Sequence, residues 1–359
     1  MSLVQPLPSG PLDIVGDIHG EYQALRDLLR GLGYDEEGRH PENRTLVFLG
    51  DFCDRGPDSP GVLACVERLV QLGRAAAILG NHEINLLRED AKDGSGWFFD
   101  ERVARDHAKY FPYRRPDDSG RAGIVRFLSG LPIALERDDL RVVHAAWLPE
   151  KIEMARGLPL GSVRAHYDEL EHAAQRHADT SGLGERIKAE ATDWGHGLED
   201  PERQPPFLHA HAEHDANKQM MNPLKVLTSG AEQKGLSPFF SGGRWRFAER
   251  LAWWDSYSDP VPVVVGHYWR RTHAVDRATV GKGDADLFRD ISPHAWHGQR
   301  GNVFCVDFSV GGRWSERTNS IARKHGTRSS FRLAALRWPE ETLLFDDGES
   351  VACQPARGA

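Results

Sequence analysis

Apolar residues in this chain gather into short runs that alternate with longer amphipathic stretches. Leu12 to Val15, Leu46 to Leu49 and Ala75 to Leu79 are largely apolar and brief enough to read as buried strands. Helical spacing follows the first two, in Leu25, Leu28, Leu29 and Leu32 and again in Val62, Leu63, Val66, Leu69 and Val70. A glycine opens the loop after each strand. Gly16, Gly50 and Gly80 lie 34 and 30 residues apart, about the length of a strand-helix-strand unit. In such units the loops after the strands share one edge of the sheet, so the three loops are expected to meet in space.

Further along, the pattern loosens. Residues 1–11 read as an irregular lead and Asp35 to Arg44 as a surface loop. Gly56 to Pro60 reads as a turn into a helix, with Ser59 as N-cap and Pro60 at the first helical position. Asp90 to Gly130 is charged and irregular, with a turn at Asp93 to Gly96 and a helix from Glu101 to Tyr110. Ile133 to Glu136 and Leu140 to His144 flank the polar turn Arg137 to Asp139, a hairpin pattern. Helical spacing returns around 163–177 and 185–191, and Asp193 to Gly197 is a tight turn. Val261 to Val265 is another buried strand. Val303 to Phe308 and Phe331 to Trp338 are expected to be strands of a second sheet, followed by Thr342 to Phe345.

Composition narrows the class. With 359 residues, 40% of them hydrophobic, the chain is long enough for a large core, and no linker-like run divides it. We therefore expect one domain over 1–359, with 149–260 as a substrate-facing insertion. A formal net charge of −8 argues against broad nucleic-acid or anionic-membrane binding. The cysteines Cys53, Cys65, Cys305 and Cys353 form no CxxC pair and indicate no disulfide framework. No basic-then-apolar leader opens the chain and no run approaches a bilayer span, which together imply a cytoplasmic protein.

The loops carry the chemistry. They read Gly16-Asp17-Ile18-His19-Gly20, Gly50-Asp51-Phe52-Cys53-Asp54-Arg55-Gly56 and Gly80-Asn81-His82-Glu83. Asp17, His19, Asp51 and Asn81 offer carboxylate, imidazole and amide donors, a set suited to divalent manganese, iron or zinc. The two oxygens of a carboxylate such as Asp51 can bridge a pair of ions. Two metals about 3.5–4 Å apart are a standard clamp for a phosphoryl group. Arg55 can offer a bidentate fork to phosphate oxygens, and Asp54 can accept from an imidazole and favour its protonated form.

This series of GDxHG, GDxxDRG and GNHE resembles the calcineurin-like metallophosphoesterase superfamily. The resemblance is to its PPP branch of serine/threonine phosphatases and the related symmetrical dinucleoside tetraphosphatases. It is firm at the motifs, which extend from residue 12 to about 310. It implies an α/β fold in which two stacked mixed β-sheets form a β-sandwich flanked by helices. It implies two divalent ions, manganese first and iron or zinc as alternatives. His144 and His267 then join Asp17, His19, Asp51 and Asn81 as ligands. Ala145 and Ala146 stand where the family has glycines after its histidine. Tyr268 and Trp269 follow His267, whereas nuclease-type members carry a further histidine.

By the same resemblance His82, paired with Asp54, protonates the leaving oxygen, and Arg55, Asn81 and His82 contact the substrate phosphate. A second phosphate-binding arginine is expected from Arg244, Arg246, Arg270 and Arg271, with no choice among them. His209, His211 and His214 fit no metal spacing and read as solvent-facing. Trp147 and Trp269 could stack on an adenine. The expected partner is a phosphoserine or phosphothreonine protein or peptide. The alternative is a small phosphorylated nucleotide such as diadenosine tetraphosphate, and a scaffold that binds a phosphorylated partner without catalysis is a third. No nucleic-acid or membrane partner is expected.

Overall fold

The computed structural model describes residues 1–273, 283–318 and 329–356. The chain opens with β1 (Val4–Pro6), β2 (Leu12–Val15), α1 (Tyr22–Leu32), β3 (Thr45–Phe48), α2 (Ser59–Gln71), β4 (Ala75–Ala77) and α3 (Asn81–Leu87). Next come α4 (Val103–Tyr110), α5 (Asp118–Ser129), β5 (Ala134–Arg137), β6 (Leu140–Val143) and the helices α6 (Pro149–Arg156), α7 (Val163–Thr180), α8 (Leu183–Trp194), α9 (His209–Met220) and α10 (Pro223–Ser229). A hairpin of β7 (Glu232–Ser241) and β8 (Arg244–Arg250) leads to β9 (Val263–Val265), β10 (Val303–Cys305), α11 (Arg313–Thr318), β11 (Ala334–Trp338), β12 (Thr342–Phe345) and β13 (Ser350–Ala352).

These strands build two mixed sheets, ordered β13-β12-β11-β2-β3-β4 and β1-β5-β6-β9-β10, with β7-β8 as a separate pair. The period of two along each strand explains why the sheets stack. Leu12, Ile14 and Val47 point inward and meet Val142, Val264 and Phe304 of the second sheet in one buried cluster. Val15, Leu46 and Phe48 point outward, beneath Leu25, Leu28, Val62 and Val66 of α1 and α2. That is the sandwich flanked by helices which the motifs imply.

The last strands depart from expectation. Val303 to Cys305 lies in the second sheet, parallel to β9. By contrast β11 and β12 belong to the first sheet, where β11 runs antiparallel to β2 with Leu336 opposite Ile14. The physical reason is that β2 would otherwise be an edge with unpaired backbone groups. Ala334, Leu336 and Trp338 also alternate toward the same inter-sheet core.

Helix starts show smaller differences. Asp58, not Ser59, caps α2, its Oδ1 accepting from Gly61 N at 2.9 Å, while Ser59 Oγ accepts from Asp54 N at 3.0 Å. The carboxylate reaches the helix N-terminus and leaves the hydroxyl to fasten the preceding loop. Asn222 caps α10 ahead of Pro223, its Oδ1 accepting from Lys225 N at 3.3 Å. No helix among the described residues is long and apolar enough to cross a membrane.

Candidate metal centre and acid dyad

Parallel pairing fixes where the site forms. β2, β3 and β4 are mutually parallel, so the loops carrying Asp17, Asp51 and Asn81 leave one edge of the first sheet. β6, β9 and β10 are parallel in the second sheet, and their ends deliver His144, His267 and Asp307. The structure brings the six predicted ligand residues to one place.

Each imidazole is held by one nitrogen and presents the other. His19 Nδ1 donates to Cys53 O at 3.0 Å and His144 Nδ1 donates to Leu49 O at 2.7 Å. His267 Nδ1 donates to Asn81 Oδ1 at 2.9 Å. That leaves an Nε2 lone pair on each ring, fixed in direction by the bond behind it. His19 Nε2 and His144 Nε2 lie 3.7 and 3.4 Å from Asp51 Oδ2, and His19 Nε2 lies 3.9 Å from Asp17 Oδ2.

Whether these residues suit a cation can be judged from the donors themselves. The ligand atoms of Asp51, His144 and His267 lie within 4.8 Å of one another, as do those of His19, Asp51 and His82. Asp51 is common to both groups, which suits a bridging carboxylate. His144 Nε2 and His267 Nε2 are buried without a hydrogen-bond partner. Buried lone pairs left over in this way are costly unless something binds them. The residues fit a dinuclear centre.

Electrostatics agree. Burial pushes the Asp17 carboxyl well above its usual range, and Asp307 adds to the effect. Burial also opposes charge on Asp51, but His144 and His82 outweigh it and hold that carboxyl well below its usual range. The His144 imidazole, despite burial, is raised to about 10 by Asp51 and Asp17. Such a concentration of buried carboxylates favours a cation.

Glu83 builds the cradle. Its fully buried carboxylate accepts from Asp51 N and Phe52 N at 2.8 Å and from Gly80 N at 3.0 Å, joining the second loop to the third. Gly266 explains the close approach of the last loop, since a Cβ there would overlap Asp17 Oδ1. His19, Asp51, Asp54, Arg55 and His267 all have left-handed backbone, with φ between 47° and 73°. Clustered strain of this kind marks sites whose geometry is imposed by the surrounding fold.

The acid assignment has its own geometry. His82 Nδ1 donates to Asp54 Oδ2 at 2.5 Å, and Trp97 Nε1 donates to Asp54 Oδ1 at 2.6 Å. Burial works against the His82 cation, yet Asp51 and the bond to Asp54 leave it raised above the usual imidazole value. Arg55 donates to His19 Nε2 at 3.0 Å and His82 Nε2 at 3.2 Å, and its guanidinium lies 4.7 Å from the Trp269 ring centroid. An ion on His19 Nε2 and the bond from Arg55 exclude one another, because both use the same lone pair.

Other predicted residues fall elsewhere. Arg270 is buried and donates to Cys305 O, Ser292 O and Ala295 O, a structural role. Arg271 stacks 3.8 Å from the Phe331 ring centroid. Arg244 and Arg246 lie on β8. Arg250, overlooked in the sequence, is the cation whose charge reaches His267: burial first and Arg250 next push that imidazole down. Trp147 is packed in the core with the Arg141 guanidinium 5.2 Å from its ring centroid, whereas Trp269 borders Arg55 and His19. His209, His211 and His214 lie on α9, and His211 Nδ1 sits 2.9 Å from Glu190 Oε2. Ala145 and Ala146 are buried without left-handed backbone, so alanine is accommodated after His144.

Glu83 and Trp97 were also missed as site residues. So was Asp307, which accepts from Trp269 N and Ser309 N at 2.7 Å. Glu83 stood inside a motif and Asp307 at the end of an apolar run, a recurring position for ligands here. Trp97 had no such signal.

A family model described as calcineurin-like phosphoesterase matches residues 10–235. An asymmetrical bis(5'-nucleosyl)-tetraphosphatase of Oceanobacillus iheyensis is 45% identical over 80 residues, 21% of this chain and 32% of that protein. A symmetrical bis(5'-nucleosyl)-tetraphosphatase of Ralstonia nicotianae is 34% identical over 143 residues, 39% of this chain and 43% of that protein. The chain thus spans less than half the length of these curated relatives. Among solved structures, a cold-active protein-tyrosine phosphatase of a psychrophilic Shewanella species aligns with a TM-score of 0.45 and 16% identity, covering 98% of this chain and 83% of that one.

Proposed function

Because the chain belongs to the calcineurin-like phosphoesterase family, we propose that it is a metal-dependent phosphohydrolase that cleaves a phosphate ester or anhydride by direct attack of water. The observation that carries this is the buried Asp51 carboxylate shared between His144 and His267 in one donor group and His19 and the Asp54-bound imidazole of His82 in the other.

Asp17, His19, Asp51, Asn81, His144 and His267 would hold two divalent ions, with manganese the first candidate and iron or zinc next. Ions there would polarise the phosphoryl group and acidify the attacking water. Arg55, once released from the imidazoles, turns its planar fork to the phosphate oxygens. His82 carries the proton on Nε2 and passes it to the leaving oxygen, while Asp54 holds Nδ1–H and stabilises the cation. Asn81 would contact the same phosphate. No covalent phosphoenzyme is required.

The substrate we favour is a dinucleoside polyphosphate, in keeping with the names of the relatives over the motif region. The second reading, a phosphoserine or phosphothreonine protein, follows from the likeness of the motif series to the PPP branch. Steady-state kcat/KM for diadenosine tetraphosphate and for a phosphothreonine peptide, measured together on manganese-loaded protein, separates them. A preference of about 100-fold, roughly 2.7 kcal/mol of transition-state discrimination, identifies the substrate. No turnover of either with metal bound would defeat the phosphohydrolase reading and leave a phosphate-binding scaffold.

A further inference from the structure

Residues 93–97 read Asp-Gly-Ser-Gly-Trp, and each glycine permits a close approach. A Cβ on Gly94 would stand 2.8 Å from Arg55 Cγ, and one on Gly96 would stand 2.8 Å from Asp106 Cβ. The segment therefore lies between the Asp51 loop on one side and α4 on the other. Toward the Asp51 loop it makes two bonds. Gly94 O accepts from Arg55 N at 3.1 Å, and Trp97 Nε1 donates to Asp54 Oδ1 at 2.6 Å. Asp54 and Arg55 have left-handed backbone, with φ of 73° and 67°, a conformation that persists only where surrounding contacts impose it.

Toward α4 the segment is fastened by one carboxylate. Asp106, 1% exposed, accepts through Oδ2 from Gly94 N at 3.1 Å and from Gly96 N at 2.7 Å. Its Oδ1 accepts from Arg102 Nη2 at 2.9 Å, and the same nitrogen donates to Asp93 Oδ1 at 3.2 Å. Lys109 Nζ, also on α4, donates to Asp93 Oδ2 at 2.7 Å. Bonds from backbone N–H to a carboxylate are charge-assisted, and a buried N–H left without an acceptor is costly. The resting place of 93–97 accordingly follows the Asp106 carboxylate.

We infer that Asp106 is a positioning residue that acts through 93–97 on two partners at once. It holds the Trp97 indole against Asp54, and so serves the His82 acid; it fixes Gly94 O under Arg55 N, and so serves the phosphate-binding arginine. The roles of His82 and Arg55 rest on the phosphohydrolase reading. The side chain of Asp106 bonds to Gly94, Gly96 and Arg102, and reaches the chemistry only through the segment it holds.

The indole N–H resonances of the protein loaded with zinc, which is diamagnetic, test this link without turnover. Among the ten tryptophans, Trp97 is assigned as the signal missing from Trp97→Phe. A short bond to a carboxylate places that signal far downfield in wild type. In Asp106→Ala it is expected to move upfield and to exchange with water about tenfold faster. Asp13→Ala, which breaks a buried charge network elsewhere, should leave it in place. Kinetics supply a second readout. Asp106→Ala should lower kcat on an alkyl phosphate about tenfold, with a smaller loss on an activated aryl phosphate, and should raise KM about threefold, which Trp97→Phe does not. Combined with Trp97→Phe, it should leave kcat within about twofold of Trp97→Phe alone, because both act through one bond. If Asp106→Ala fails to fold, Asp106→Asn keeps the volume but turns an NH2 group against Arg102 or the glycine N–H groups. It is expected to shift the same signal upfield and to lower kcat about threefold. An unmoved indole signal in the variant that folds, or losses that multiply in the double variant, would overturn the assignment. Wild type inactive on both substrates would remove the phosphohydrolase reading, while the indole signal still decides whether Asp106 sets the segment against Asp54.

Discussion

Trp97 and Asp54 are joined by a buried hydrogen bond of 2.6 Å from the indole N–H to Oδ1, which leaves Oδ2 for His82. Both carboxylate oxygens are therefore committed, and the carboxyl group cannot rotate away from the imidazole. Trp97→Phe keeps the bulk and removes the donor. We expect kcat on an alkyl phosphate to fall about tenfold, the worth of one charge-assisted bond, with bound metal and KM little changed. An activated aryl phosphate, which needs less help from an acid, should fall less. Equal losses on both substrates would mean that Trp97 acts through general packing.

His82→Ala removes the acid itself. Metal content should persist, and the rate on a poor leaving group should drop about 10²–10⁴-fold, the usual contribution of general acid catalysis. The leaving-group dependence of log kcat should steepen in this variant. A slope equal to that of wild type would argue that the proton comes from elsewhere.

Glu83 fastens the second loop to the third through three backbone N–H groups. In Glu83→Gln the amide brings its own donors against some of those donors, so at least one buried N–H loses its partner. A loss of about 2–4 kcal/mol in stability is expected, with weaker metal retention because Asp51 N is one of the groups released. Urea unfolding and metal analysis of the dialysed protein measure the two effects. An unaltered unfolding midpoint would show that the loops hold their shape without this carboxylate.

Much of the site was legible because its residues obey a local rule: each follows a short buried strand, and parallel strands place their ends together. Asp17, Asp51, Asn81, His144 and His267 are all of this kind. What was hidden depends on contacts between distant segments. Trp97 reaches Asp54 from an irregular loop, and nothing in Gly96-Trp97-Phe98 announces that direction. Arg250 becomes relevant only because its charge acts on the distant His267, and the hairpin that carries it lacks clean alternation on β7, where the register shifts between Lys234 and Phe239. β11 was assigned to the wrong sheet for a related reason. Alternation reports that a strand has one buried face, but both sheets bury their inner faces in the same core.

Asp13 tests the frame rather than the chemistry. It lies outward on β2 under α1, fully buried, accepting from Tyr34 Oη at 2.9 Å, Arg44 Nε at 3.1 Å and Arg337 Nε at 3.0 Å. Asp13→Ala leaves the buried Arg44 with Glu340 at the periphery and an uncompensated interior. A destabilisation of about 3–5 kcal/mol is expected, the usual result of removing one member of a buried charge network. The kcat of the folded fraction should be unchanged, since Asp13 is remote from the phosphate. Normal stability in this variant would show that Glu340 and solvent suffice for Arg44.

The unpartnered Nε2 atoms of His144 and His267 lead to a test of metal binding that does not depend on turnover. A ligand that binds only the folded state stabilises it by mass action, about 2.7 kcal/mol at a concentration 100-fold above Kd. Adding Mn²⁺ to metal-free protein should therefore raise Tm, and a chelator should reverse the rise. His144→Ala removes one of three donors from the group formed with Asp51 and His267, so the manganese-induced shift should shrink markedly, while the metal-free Tm changes by less than in Glu83→Gln. The contrast arises because His144 is held by a single bond to Leu49 O, whereas Glu83 ties together two loops. A full manganese shift in His144→Ala would place the ion outside this group and reopen the assignment of the second ligand set.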